Sequence, residues 1–275
     1  MRRVWAGRWW LIASTVFFGA LFAVAAYRMT PVYRAVVVLI PGGEERAGLS
    51  GALGSALGSI GGLAALAGVN VGSGAQGLEE ALAVLRSRQF TERFIDDNEL
   101  MPKLYPKKWD SAARKWRVPP DERPTPARAY KFFDTRIRSV ALDRKTGLVT
   151  LQVDWRDPNE AAGWANDLVR RLNAEMRARA IAKSEASLGF LQKELAATPV
   201  VDTRDAINRL IETQVNQRML ANVTMQYAFR VVDPALPSDR DDPLRPNKLL
   251  MIVAGIFIGL VIGLILTIFV RRHLR

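Results

Sequence analysis

Two long apolar runs lie near the ends of the chain, and shorter alternating patterns fill the sequence between them. The first run, Trp9–Ala26, has 18 residues without a charge, and the second, Leu249–Val270, has 22. A helix needs about 20 predominantly apolar residues to cross roughly 30 Å of hydrocarbon. The pattern therefore predicts transmembrane helices at residues 9–27 and 249–270.

Cations outside the two runs predict the orientation of these helices. The tails 1–8 and 271–275 carry six arginines: Arg2, Arg3, Arg8, Arg271, Arg272 and Arg275. Positive charges beside a span favour the cytoplasmic side, whereas long loops cross largely regardless of charge. Both termini are therefore expected in the cytoplasm, with residues 28–248 forming one extracytoplasmic domain.

The N-terminal run has a second interpretation as a cleavable signal peptide. Arg2 and Arg3, the apolar stretch and the small residues at 23–25 fit that pattern. The run is longer than the 7–15 residues usual for a signal peptide, and it carries aromatic residues. Both features favour a retained helix.

Periodicity after the first run predicts a strand, a helix and a β-hairpin. Tyr33–Ile40 is rich in β-branched residues, which indicates a strand leaving the membrane directly. The Gly- and Ala-rich segment 42–77 is expected to be partly helical, and residues 78–97 form an amphipathic helix. Irregular chain is expected over 98–128, because it contains six prolines. Alternating segments at 136–142 and 148–155 predict the hairpin.

The sequence of the rest of the domain predicts a helical hairpin and a final strand. Asp157 and Pro158 have the residue types of a helix start, and apolar residues follow at i, i+4 spacing to about residue 197. A second helix is expected at 202–223, so the helical hairpin covers 157–223, and a short strand follows at 227–232. The fold class is α+β: a membrane-proximal mixed α/β domain with a helical hairpin, flanked by two transmembrane helices.

Residues 233–248, the proline-rich arm, precede the second predicted span. Its four prolines forbid both a helix and a central strand: Pro234, Pro237, Pro243 and Pro246. The arm is therefore expected to be a stiff, extended spacer between the domain and the membrane helix.

Charge and cysteine content exclude some functions. Residues 28–248 carry 33 Lys and Arg against 27 Asp and Glu, a net charge of +6. That excess is too small for a nucleic-acid footprint, so no nucleic acid is expected as a partner. The chain has no cysteine, which excludes disulfides and thiol chemistry.

The sequence contains no active-site motif, so the chain is predicted not to be an enzyme and to need no cofactor and no metal. Residues 72–77 match GxGxxG, but no βαβ unit follows, and a low-complexity glycine run surrounds the match. The single histidine, His273, lies in the cytoplasmic tail. Adjacent acids such as Asp96 and Asp97 are typical of solvated surface, which leaves glycosidase chemistry as a minor alternative.

Three glycines recur every four residues in the second apolar run, at Gly255, Gly259 and Gly263. This spacing places them on one helix face, where a partner backbone can approach closely. Gly19 and Ala23 have the same spacing in the first run. Pairing of the two spans, within or between subunits, is therefore predicted.

With these features the sequence resembles the polysaccharide copolymerase family, the Wzz-like chain-length determinants. The resemblance is carried by the proline-rich arm with Asn247 and Lys248 and the following glycine-patterned run, and by the Gly/Ala/Leu-rich segment leading into residues 80–90. No kinase domain follows the last span, which implies a kinase-free branch. The predicted helices are short compared with the protrusions of many members.

The resemblance implies a non-enzymatic regulator of the chain length of O-antigen, exopolysaccharide or capsule in the bacterial inner membrane, with its main domain in the periplasm. The implied partners are copies of itself, membrane lipid, a polysaccharide polymerase and lipid-linked glycan. Candidate glycan contacts are the cations of the first hairpin helix: Arg170, Arg171, Arg177 and Arg179. The alternative is a structural adaptor subunit of an envelope polysaccharide export complex.

Overall fold

The computed structural model describes residues 2–42 and 73–273, with side chains described for 12–42, 76–247 and 249–265. Its helices are α1 Arg2–Arg28, α2 Ser73–Arg86, α3 Arg88–Asp97, α4 Met101–Leu104, α5 Pro126–Phe132, α6 Pro158–Ala197, α7 Val201–Val223 and α8 Lys248–His273. Its strands are β1 Tyr33–Pro41, β2 Trp109–Asp110, β3 Lys115–Trp116, β4 Arg138–Leu142, β5 Val149–Trp155 and β6 Phe229–Asp233. Most of the Gly- and Ala-rich segment lies outside the described residues.

The chain divides into two compact units. The first contains the described parts of Met1–Ala35, Asp154–Ala162 and Leu236–Arg275, and α1 and α8 pack together in it. Among the described residues, no helix combines the length and apolarity that crossing a membrane requires.

The second unit, Val36–Val153 with Gly163–Ala235, contains most of a four-stranded sheet in the order β4-β5-β1-β6. β4 pairs antiparallel with β5, placing Val140 opposite Leu151, so the predicted β-hairpin is confirmed. Its first strand begins at Arg138 rather than at residue 136, because α5 continues into a π-helical turn, Phe133–Ile137. β1 pairs antiparallel with β6.

The core of the second unit lies between the sheet and helices. Alternate residues of β5 are fully buried, as the strand period of two requires. The largest fully buried side chains of the unit include Phe94, Phe133, Phe229, Leu39, Leu151, Leu168 and Leu172. α6 and the sheet therefore bury apolar faces that their sequence periods predict.

The single helix predicted at 78–97 is wrong: the structure has two helices separated at Ser87. Ser87 is extended, with ψ 148°, and its hydroxyl oxygen accepts the Phe90 N–H. A serine side chain at a helix N-cap replaces an intrahelical partner, which makes a break favourable here. The apolar period continues across the break, because Leu85, Phe90 and Phe94 are all buried.

The segment 98–128 is more regular than predicted. It contains α4, a 3₁₀ turn at Pro120–Glu122, and β2 and β3, which pair antiparallel as a small second sheet. Each of these strands has only two residues, too few for an alternating pattern to be visible in the sequence. The expectation of irregular chain over 98–128 is therefore corrected.

The helical hairpin is confirmed by α6 and α7. Asp157 caps α6, since its Oδ1 accepts the N–H groups of Asn159 and Glu160. The apolar side of α7 is largely solvent-exposed: Ile207 is buried, but Leu210 and Met219 are 53% and 54% exposed. One chain by itself therefore does not cover this side of α7.

Candidate functional site

The proline-rich arm is hydrogen-bonded to the start of β1 within the first unit. The Tyr33 hydroxyl donates to the carbonyl oxygen of Arg240 at 3.1 Å, and the Ser238 hydroxyl donates to the carbonyl oxygen of Arg34. Both donors are side chains and both acceptors are backbone, so each bond fixes a strand position against an arm position. The arm is held along its length in addition to being stiffened by proline.

The arm is also bonded to the chain by its backbone, just before α8 begins. The Val32 N–H donates to the Arg245 carbonyl at 2.9 Å, and the Arg245 N–H donates to the Val32 carbonyl at 3.3 Å. Pro246, which follows a cis peptide bond, is buried, and Pro243 is half-buried. Asn247 is exposed, and its Oδ1 accepts the Leu250 N–H at 3.3 Å, as a helix cap does. Lys248 is the first residue of α8.

The first two prolines of the arm differ from the last two. Pro234 and Pro237 are exposed. Between them Ala235 is buried and bonded through its backbone to Asn166, with distances of 2.9 and 3.0 Å. The prolines therefore divide into an exposed pair and a pair that is buried or half-buried.

Arg34, whose carbonyl accepts from Ser238, also makes a bidentate ion pair. Its Nε and Nη2 atoms donate to the two carboxylate oxygens of Asp154 at 2.7 and 2.8 Å. Hydrogen bonding to Asp154 raises the pKa of Arg34 above its ordinary value, against the opposing effect of desolvation. The strand position that holds the arm is thus itself fixed in place by a charged pair.

The glycines of α8 lie against α1. A Cβ added to Gly255 would lie 2.6 Å from Phe22 Cβ, and one added to Gly259 would lie 2.8 Å from the Ser14 carbonyl oxygen. Gly263 is buried on the same face. The Ser14 hydroxyl donates to the Gly259 carbonyl oxygen at 2.5 Å. Only glycine permits this closeness of the two backbones.

The arginines of α6 make ion pairs, with one exception among the four predicted contacts. Arg170 pairs with Asp167, and Arg171 donates to Asp167 at 2.8 Å and to Asp97 at 2.5 Å. The Arg179 Nε lies 2.9 Å from a carboxylate oxygen of Glu175. Arg177 is half-exposed, with no ion pair to another described residue. Their role in binding glycan stays a prediction.

Two asparagines of α6 hold the final strand and the beginning of the arm, and sequence reasoning missed both. Asn173 Nδ2 donates to the Phe229 carbonyl at 2.9 Å, while its Oδ1 accepts the N–H groups of Ala228 and Phe229. Asn166, seven residues earlier, binds Ala235 similarly: its Nδ2 donates to the Ala235 carbonyl oxygen, and its Oδ1 accepts the Ala235 N–H. Seven residues are about two helical turns, so both asparagines lie on one helix face. The sequence does contain a signal that could have indicated them: two polar residues, seven positions apart, on an otherwise apolar helix face.

The described residues contain no group of His, Asp and Glu side chains placed to hold a metal ion. A cleft of about 470 Å³ lies between α6 and α7, with the lining residues Ala186, Ser187, Phe190, Leu191, Leu210 and Gln214. This lining contains no titratable side chain.

Comparison with known proteins gives a family match at the N-terminus. Residues 1–98 match the family model described as Wzz, chain length determinant protein. This match confirms the resemblance to the Wzz-like family that the sequence indicated. A search of curated proteins finds no match.

Two solved structures are similar over most of the chain. A full-length bacterial polysaccharide co-polymerase is 12% identical, with a TM-score of 0.43, covering 99% of this chain and 96% of the other. A fragment of WzzB, polysaccharide co-polymerase from Salmonella Typhimurium, is also 12% identical, with a TM-score of 0.33, covering 77% of this chain and 98% of the other.

Proposed function

We propose that the chain is a non-enzymatic regulator of polysaccharide chain length, for O-antigen, exopolysaccharide or capsule. The observation that carries the proposal is the match of residues 1–98 to the chain-length determinant model. The bonded arm supports it, because a regulator that works by position needs its parts held at defined geometry. In this role the chain makes and breaks no covalent bond.

The proposal places residues 9–27 and 249–270 in the inner membrane, with both termini cytoplasmic and residues 28–248 in the periplasm. The support is the uncharged length of both runs and the arginines outside them. The glycine contacts between α1 and α8 support pairing of the two helices within one subunit.

Self-association is the proposed means of action. The exposed apolar side of α7 is the kind of surface that a second copy covers, because exposed apolar residues gathered on one face mark interaction sites. An oligomer holds several polymerase or glycan contacts together, so that a growing chain is retained by avidity until its length exceeds what the assembly holds. The proposed partners are other copies, membrane lipid, the polymerase and lipid-linked glycan.

The test is the size distribution of surface polysaccharide on gels from cells that lack this chain. A length regulator predicts that polymer is still made and exported, with a changed distribution that the intact chain restores. Polymer trapped inside the cell would instead indicate an adaptor subunit of an export complex. Unchanged length with normal export would contradict both functions.

The arm is tested in the same cells with two matched double variants. Pro243→Ala with Pro246→Ala removes the buried and half-buried prolines, so it is expected to leave the length distribution uncorrected. Pro234→Ala with Pro237→Ala removes two exposed prolines and is expected to restore it. If both variants gave the same length distribution, the buried and half-buried prolines of the arm would have no special role in setting length. The conclusion from the deletion would be unaffected.

A further inference from the structure

One short segment of the main domain is strongly positive. Residues 103–117, here called the basic hairpin, contain six Lys and Arg and one Asp, whereas the whole of residues 28–248 has a net charge of only +6. The basic hairpin thus carries a net charge of +5 within 15 residues. Neither the family match nor the proposed function assigns a role to it.

The basic hairpin has an ordered structure built around two tryptophans. Trp109 on β2 lies opposite Trp116 on β3, with ring centroids 5.1 Å apart and ring planes at 77°. Both indoles are half-exposed. Directly paired residues of two strands share a face, and the neighbouring pair, Asp110 and Lys115, belongs to the opposite face. The two indoles therefore share one face of the hairpin, and Asp110 and Lys115 lie on the other.

The turn and base of the basic hairpin are fixed before any ligand binds. Asp110 Oδ1 accepts the N–H groups of Ala112 and Ala113 at 3.0 and 3.1 Å. At the base, Lys108 Nζ donates to the carbonyl oxygen of Glu122 at 3.0 Å. A fixed loop loses little conformational freedom on binding, which favours affinity.

Three of the cations are exposed and make no ion pair within the described chain: Lys107, Arg114 and Lys115. The arginines of α6 differ, because three of the four predicted contacts there already bind carboxylates. An anionic ligand at the basic hairpin would not have to compete with internal partners. These clustered, unpaired cations therefore favour the basic hairpin as an anion site over the four arginines of α6.

We propose that the basic hairpin is a binding site for an acidic polysaccharide, one that carries carboxylate or phosphate groups. The cations bind the anionic groups, and the half-exposed indoles pack against the C–H faces of sugar rings, whose polarised hydrogens are attracted to the negative face of an aromatic ring. The inference rests on the proposed function, because that function supplies the polysaccharide.

An anionic lipid surface is the competing partner, and the aromatic geometry disfavours it. Insertion into a bilayer interface buries an extended apolar face about 5–10 Å into the boundary between headgroups and acyl chains. Here each indole is partly covered and lies edge-to-face against the other, an arrangement that suits stacking at a surface. The lipid alternative becomes one outcome of the test.

The experiment measures binding of the purified full chain in detergent to three probes: polygalacturonate, uncharged dextran of similar length, and phosphatidylglycerol vesicles. We expect salt-sensitive binding to polygalacturonate and none to dextran. Replacing Lys107, Arg114 and Lys115 with Gln is expected to weaken polygalacturonate binding about tenfold. Far-ultraviolet circular dichroism checks that the variant is folded.

A matched control removes three exposed cations elsewhere, by replacing Lys183, Lys193 and Arg209 with Gln. It has the same net charge as the first variant and is expected to bind as the unmodified chain does. An equal loss of polygalacturonate affinity in both variants would show that only the overall charge matters, and it would contradict a binding site at the basic hairpin. Binding to vesicles without binding to polygalacturonate would overturn it in favour of lipid.

The stacking part of the site has its own variants. Trp116→Phe keeps an aromatic face and is expected to lose less than half of the affinity for polygalacturonate. Trp116→Leu keeps the net charge but has no aromatic face, and its affinity is expected to fall about fivefold. Equal affinity of the two variants would remove the indole from the site.

The cell assay and the binding assay test the proposed function and the basic-hairpin site independently. If deletion of the chain leaves polysaccharide length unchanged, the proposed function fails whatever the binding result. If deletion changes the length but the Lys107, Arg114 and Lys115 variant restores it fully, the regulator stands and the basic hairpin is excluded.

Discussion

The guanidinium of Arg34 and the carboxylate of Asp154 form two parallel hydrogen bonds, at 2.7 and 2.8 Å, joining the beginning of β1 to the end of β5. The carbonyl of the same arginine accepts the hydroxyl of Ser238 in the proline-rich arm. One residue thus fixes both a neighbouring strand and the arm, which makes the pair a suitable place to test how the arm is positioned.

Replacing Asp154 with Asn is expected to lower the free energy of unfolding by about 1 kcal/mol, because a bidentate, partly buried pair is stronger than a surface one. Thermal unfolding of the full chain in detergent measures this. The control is Glu92→Gln, which breaks the more exposed Arg88–Glu92 pair and should cost at most about 0.5 kcal/mol. Equal costs would show that the Arg34 pair has no special strength.

Loss of the Ser238 hydroxyl should weaken the attachment of the arm to β1 without unfolding the domain. Ser238→Ala is expected to shift the polysaccharide length distribution toward that of cells lacking the chain, because one of the bonds between arm and strand is lost. Gel analysis of complemented cells measures the shift. Ser139→Ala, at an exposed strand position, is the control and should restore normal length. An unshifted distribution in the Ser238 variant would mean that this bond does not set length.

Even one methyl group should disturb the packing of α1 against α8. Gly259→Ala would bring a Cβ within 2.8 Å of the Ser14 backbone, so the helices must separate and the variant is expected to unfold at lower temperature. Gly259→Leu should be worse. Gly19→Ala is the control, since its Cβ would meet only the flexible Ile256 side chain at 3.3 Å. Equal stability of Gly259→Ala and Gly19→Ala would contradict the close packing.

Asn173 is expected to be among the most sensitive polar positions of the second unit. Asn173→Ala removes three hydrogen bonds and leaves backbone groups of buried Phe229 unpaired, which should cost about 2–3 kcal/mol. Asn222→Ala, at an exposed position of α7, is the control and should cost little or stabilise slightly. Chemical denaturation of both variants provides the comparison.

Acidification should loosen the turn of the basic hairpin. Backbone N–H groups of the turn, chiefly that of Ala113, lower the pKa of Asp110 below its ordinary value, helped by the charge of Arg117. Because the folded-state pKa is depressed, the stabilisation is present above the ordinary pKa and is lost as the pH falls through the lowered one. Near-ultraviolet circular dichroism of the two tryptophans should therefore change below about pH 4. Asp110→Asn should lack this transition.

Sequence periodicity was sufficient for the longer elements. Strand β1, the β4–β5 hairpin, and helices α6 and α7 appear where the apolar pattern predicts them. β1, the hairpin and α6 each bury one face against the core, whereas α7 follows its apolar period although most of that side is exposed. Asp157 is an example of a local signal, because an aspartate directly before Pro158 indicates the start of a helix. Ser87 is the counterexample, since its neighbours continue the same apolar period and only its backbone shows the break.

What the sequence by itself determined is local: which of the longer segments are helix or strand, that the proline-rich arm is neither, and where the charges lie. What only the tertiary structure decided is which distant groups meet. The bonds between Ser238 and Arg34, and between Asn173 and Phe229, join residues about 200 and 56 positions apart. No periodicity encodes such pairs, because hydrogen bonds between distant residues depend on how the packed elements bring their backbones together.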